Sequence, residues 1–123
     1  MTIESLRDVL MGYLKKNRHV GRAKAAVRAD VLWQLQSLDP SLDDRKFRIV
    51  YAGDPKRKGD FGAGVCSSAD GLFIPATTEE VEDFHLFISK QSGPIVAARR
   101  RDNVYHWRPE LRPGYGKQQV LGI

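Results

Sequence analysis

Apolar residues recur at helical spacing in "IESLRDVLMGYLKKN", where Ile3, Leu6, Leu10 and Leu14 form one stripe with Val9 and Tyr13 beside them. Glu4, Arg7, Asp8, Lys15 and Lys16 take the other face, so the pattern predicts an amphipathic helix. "RHVGRAKA" interrupts the period. Val27, Val31, Leu32 and Leu35 restore it until Pro40 ends it, which predicts a second helix over about 28–38. "SLDDRKFRIVYAG" predicts a third, capped by Asp43 or by Ser41, the latter in capping-box spacing with Asp44. With Asp43 as the cap, Leu42 and Phe47 occupy hydrophobic-staple positions. Phe47, Val50 and Tyr51 then make one buried stripe, and Asp44, Arg45 and Arg48 point outward.

The next segment, "GDPKRKGDFGAG", is glycine-rich and charged and reads as a mobile, exposed loop. Two short apolar runs, "GVCSS" and "LFIPA", then flank "ADG". Asp70-Gly71 as a two-residue turn predicts a hairpin pairing Ser68 with Phe73 and Ser67 with Ile74. Val65, Leu72 and Ile74 fall on one face, Cys66, Phe73 and Pro75 on the other. "TTEEVEDFHLFISKQ" opens a fourth helix with Thr77 and Glu80 in capping-box spacing and Val81, Phe84, Phe87 and Ile88 as its stripe. Gly93 and Pro94 should kink or break it before "IVAARRRDNV" resumes.

Length and composition narrow the class. A chain of 123 residues with 41% hydrophobic content builds one modest core. The expected organisation is a domain over 1–102 and a basic, aromatic, Pro/Gly-rich tail over 103–123, disordered or docked. The N-terminus has no secretory pattern and no apolar run reaches a membrane span, so a cytoplasmic location is expected. Cys66 is the single cysteine; it forms no internal disulfide or usual zinc site and reads as a small buried hydrophobe. No metal or cofactor is expected.

Net charge is +5, and its distribution says more than its size. Ten Lys/Arg against six Asp/Glu fill residues 1–52, one against four fill 76–98, and six against two fill 99–123. Two basic blocks flank an acidic helix.

Three helices, a hairpin and a long C-terminal helix form a mostly helical α+β order, that of a winged helix-turn-helix domain with a basic tail. The run Leu42, Asp43, Arg45, Phe47, Arg48 in "LDDRKFR", followed by "VCSSADGLFIPATTEEVEDF", resembles a group of small phage and prophage winged-helix proteins. The resemblance covers roughly residues 3–100, and the hairpin motif is its specific part. It implies a DNA-associated domain of a mobile element, acting in transcription regulation or replication initiation. The loop "AGDPKRKGDFGAG" looks longer than the family's turn, Arg28 stands where the family tends to have a small capping residue, and residues past about 102 have no match.

On this reading the third helix, about 43–52, is the recognition helix, and double-stranded DNA is the partner. Arg45, Lys46 and Arg48 supply long cationic donors for the major groove, against the plainer reading of a solvated face with an Asp44–Arg48 pair at i, i+4. Asp43 and Asp44 weigh against phosphate contact. Lys56, Arg57 and Lys58 would grip backbone phosphate without reading sequence, and Ser67 and Ser68 near the hairpin tip would approach the backbone or minor groove. Arg99, Arg100 and Arg101 form the densest positive block, together with Arg108, Arg112 and Lys117, although a helix C-terminus favours such cations anyway. Tyr105, His106 and Trp107 interleave aromatics with this charge; Trp107 is expected to pack the tail onto the domain. "GDFGAG" sits in no strand-to-helix turn, and His19, His85 and His106 lack ligand spacing, so no enzyme is expected. The competing readings are a protein-interaction module, inhibiting or adapting a host or phage protein with the same fold, and a homodimer formed through the fourth helix.

Overall fold

The computed structural model describes residues 1–54 and 56–115, and among these the chain forms five α-helices and one two-stranded hairpin. The helices are α1 (Ile3–Lys16), α2 (Arg28–Gln36), α3 (Asp44–Ala52), α4 (Thr78–Ser92) and α5 (Pro94–Trp107). The strands, β1 (Cys66–Ser68) and β2 (Gly71–Phe73), lie between α3 and α4. No described helix is long and apolar enough to cross a membrane. Lys117 and the rest of 116–123 lie outside the described residues.

The caps follow the local sequence. Asp43, not Ser41, caps α3, accepting the Lys46 N–H at 2.8 Å, and its staple pair Leu42 and Phe47 is buried. Thr77 caps α4 by accepting the Glu80 N–H at 3.2 Å. The Glu80 carboxylate does not close a capping box; it accepts the Ala76 and Arg22 N–H groups at 2.7 and 2.6 Å and ties the approach to α2 onto α4.

Two apolar clusters share the hairpin as their wall. Leu6, Leu10 and Leu14 of α1, Val31 and Leu35 of α2, and Phe47 and Val50 of α3 pack against Val65, Leu72 and Ile74. Cys66 and Phe73 face the other way, onto Val81, Phe84 and Ile88 of α4 and Ala97, Val104 and Tyr105 of α5. Both hairpin faces are therefore buried, which is why these runs read as continuous apolar stretches. Burial pushes the Cys66 thiol pKa up, consistent with an inert core residue. On α4, Phe87 is partly exposed instead of joining the stripe.

The hairpin register differs from the expected one. Cys66 pairs with Phe73, Ser67 with Leu72 and Ser68 with Gly71, so Ala69 and Asp70 form the turn and Gly71 belongs to the strand. The shift is by two residues, so each side chain keeps its face. A third segment explains it: "RHVGRAKA" closes on β2, with the Ala26 and Leu72 N–H groups donating to each other's carbonyls at 2.8 and 2.9 Å. Gly21 N–H donates to the Ile74 carbonyl at 2.8 Å and Ile74 N–H to that of His19 at 2.9 Å. Gly71 has φ +132°, and a Cβ there would lie 1.9 Å from the Ala26 oxygen. The glycine serves this close approach, not the turn.

The C-terminal half also departs from expectation. The interruption expected at Gly93 and Pro94 is a full break: Gly93, at φ +89°, ends α4, Pro94 opens α5, and the two helices pack against each other, so the long C-terminal helix of the expected fold is a helical hairpin. The helix then runs on through Trp107, and the boundary expected at 102 falls inside α5. Asn103 Nδ2 donates to the Gly62 carbonyl at 2.9 Å, Trp107 packs against Gly64, and Arg108 Nη1 donates to the Pro75 carbonyl at 3.0 Å. Trp107 and Leu111 pack against the two apolar clusters.

Candidate nucleic-acid interface

Arg45 and Arg48 project from the exposed side of α3, and Ile49 and Ala52 continue that side toward its C-terminus. This face forms one wall of an open cleft of about 600 Å³. The loop after α3 brings Lys56, Arg57 and Lys58 to the same cleft, and the first half of α5 closes it with Val96, Arg99 and Arg100. Cations from three separated segments thus converge on one concavity.

The loop is less free than its composition suggests. Its tip, 56–59, is exposed, but both ends are fixed. The Asp60 carboxylate receives Arg7 at 2.8 Å and the backbone N–H groups of Asp54 and Gly62 at 2.9 and 3.3 Å. Burial by itself would raise the Asp60 carboxyl pKa, but these donors outweigh it and hold the group below the usual carboxylate value. Arg7 also donates from Nε to the Val50 carbonyl and from Nη2 to the Ile49 carbonyl, both at 2.9 Å, so one guanidinium joins α1, the end of α3 and the loop. Gly53 and Gly62 have positive φ, and a Cβ on either would lie 2.4 Å or less from a facing backbone oxygen.

Among the described residues Arg45, Arg48, Lys56, Lys58, Arg99 and Arg100 form no ion pair. Arg57 reaches Glu4 at 3.7 Å in an exposed pair of little energetic weight. Arg48 does not pair with Asp44. Arg28 takes that carboxylate at 2.6 Å, donates from Nε to the Tyr51 hydroxyl at 3.0 Å, and lies 5.0 Å from the Phe47 ring centre. Asp43 is occupied as a cap. The two acids that weighed against a basic face therefore each have a partner.

Arg100 is half-buried, with its guanidinium 4.9 Å from the centre of the Phe84 ring. Burial pushes its pKa below the ordinary arginine value, and the charge of Arg48 pushes in the same direction. Arg99 lies 5.9 Å from the centre of the Phe61 ring, which also lines the cleft. Unpaired cations held near one another in a concavity concentrate positive potential and favour an anion there.

Four expected residues lie elsewhere. Lys46 turns to Asp39 at 3.5 Å, and Arg101 to Glu82 and Asp102 at 3.8 and 3.6 Å. Ser67 and Ser68 are half-buried beside a small separate hollow with Glu80 and Asp83. The hairpin tip carries the exposed Asp70, whose charge opposes phosphate. Sequence reasoning missed Phe61, Ile49 and Val96 as cleft residues, because nothing in local periodicity brings 49, 61 and 96 together. No known protein family, curated protein or solved structure matches the chain.

Proposed function

We propose that this chain is a DNA-binding protein of the winged helix-turn-helix type, similar to small phage and prophage proteins of transcription regulation or replication initiation. The observation that carries the proposal is the convergence of seven cations from α3, the following loop and α5 on one cleft, six of them without an acidic partner among the described residues. The arrangement of α1, α2 and α3 against a hairpin, with the segment before α2 closing on β2, supports the winged-helix reading. In this mechanism α3 presents Arg45 and Arg48 to the major groove while Lys56, Arg57 and Lys58 hold backbone phosphate. Fluorescence anisotropy of labelled duplex DNA over a salt series tests it. Engagement of about six phosphates predicts a slope near −5 in log K against log salt concentration. Absence of binding at low salt refutes the proposal.

A second reading, a protein-interaction module, is favoured by Trp33, which stands 70% exposed on α2. The Trp33→Ala variant separates the two, because DNA affinity through the cleft does not depend on this ring. Loss of duplex binding in that variant would count against the cleft as the sole contact.

A further inference from the structure

The cleft offers more than phosphate contact. Its volume of about 600 Å³ falls in the range that encloses a single small organic molecule, the scale of a nucleotide. Double-stranded DNA presents phosphates outward and keeps its bases stacked inside, so it offers a protein charge and groove edges, not base faces. Contact with the backbone phosphates alone needs only cations. This cleft has more. Ile49, Ala52 and Val96 line it among the cations and the two acids Asp54 and Asp60, and Phe61, with the Arg99 guanidinium 5.9 Å from its ring centre, adds an aromatic ring. Cationic walls with an aromatic and apolar interior are what unpaired nucleic acid requires, because phosphates take the charge and freed base faces take the rings and aliphatic carbons.

The rigidity of the platform points the same way. The Phe61 carbonyl is within 3.3 Å of Asn103 Nδ2, Gly62 next to it receives the same amide at 2.9 Å, and Asp60 before it is locked by Arg7. The ring is therefore presented by a backbone pinned from α1 and from α5, and little ordering remains for the ligand to impose. Arg48 and Arg100, from separate elements and without acidic partners among the described residues, both line this cleft.

We infer that the cleft between α3, the loop residues 56–61 and α5 seats an unpaired DNA strand, so that the preferred target is a duplex with a single-stranded segment beside it. This inference rests on the proposed DNA-binding reading and names its substrate more narrowly. The test compares anisotropy titrations of the full chain against a blunt duplex and against the same duplex carrying a thymidine tail of ten nucleotides. The tailed duplex is expected to bind about tenfold more tightly. Phe61→Leu, which keeps charge and volume close to native, should erase that preference and leave blunt-duplex affinity unchanged, while Phe61→Tyr should retain it. If Phe61→Leu does not fold, Phe61→Met, which also removes the aromatic face without changing charge, provides the same comparison. Equal affinity for tailed and blunt duplex in the wild type would overturn this inference alone. Equal loss for both DNAs in Phe61→Leu would also overturn it. Failure to bind either DNA would remove the parent reading with it.

Discussion

Removing Arg7 should unsettle three elements at once. Its guanidinium forms an ion pair with Asp60 at 2.8 Å and donates to the Ile49 and Val50 carbonyls at 2.9 Å, and both charged side chains are about one-tenth exposed. In Arg7→Ala the Ile49 carbonyl keeps the Gly53 N–H at 2.9 Å, but the Asp60 carboxylate retains only two backbone donors and the Val50 carbonyl loses its side-chain partner. Stranding one member of a buried pair costs about 3–5 kcal/mol. The two remaining N–H donors offset part of this, so a loss near 3 kcal/mol is expected, a large share of the 5–15 kcal/mol typical of a domain. Urea unfolding followed by circular dichroism measures it, and a cycle of Arg7→Met, Asp60→Asn and the double variant isolates the pair. The coupling energy should be about 2 kcal/mol. A coupling below 0.5 kcal/mol, or a loss below 1 kcal/mol in Arg7→Ala, would refute the view that this pair holds the loop to α3.

Other perturbations probe separate parts of the structure. Gly71→Ala places a Cβ 1.9 Å from the Ala26 oxygen at φ +132° and should lower the melting temperature by 10 °C or more, about 3 kcal/mol of strain; scanning calorimetry reads it. Arg101→Ala should leave duplex affinity unchanged, because Arg101 faces Glu82 and Asp102, whereas Arg48→Ala and Lys58→Ala should each flatten the salt slope by about one. Asp39 accepts the Ser41 hydroxyl and N–H and faces the N-terminal ammonium and Lys46, which hold its carboxyl at about 2. The lowered value means that Asp39 stabilises the fold above the unfolded carboxyl pKa near 4, and that this contribution is lost as pH falls toward 2. In Asp39→Asn, urea midpoints measured from pH 6 to pH 2 should fall less steeply than in the wild type.

The residues that could be read from sequence are those whose role is settled within one turn or one strand. Asp43 and Thr77 cap their helices, Phe47, Val50 and Tyr51 form the buried stripe of α3, and Val65, Leu72 and Ile74 share a face. The Asp-Gly pair misled because two demands compete for that glycine. A type I′ turn needs positive φ, but so does the close pass of the Ala26 backbone, and the second is visible only once the "RHVGRAKA" segment is laid beside β2. The same limit governs the candidate interface. The charge blocks at 45–48, 56–58 and 99–101 stand out along the chain, yet the first and last contribute only part of themselves to the cleft. Lys46 and Arg101 leave it, because helix periodicity turns neighbouring side chains to different sides and each finds a carboxylate there. Phe61 enters it without any charge to advertise it. A basic patch inferred from composition would treat these nine charges as one solvated population. Lys46 and Arg101 are held by carboxylates outside, whereas among the described residues every cleft cation but Arg57 lacks one, and the apolar and aromatic residues lining the same cleft are the basis of the proposed preference beyond charge.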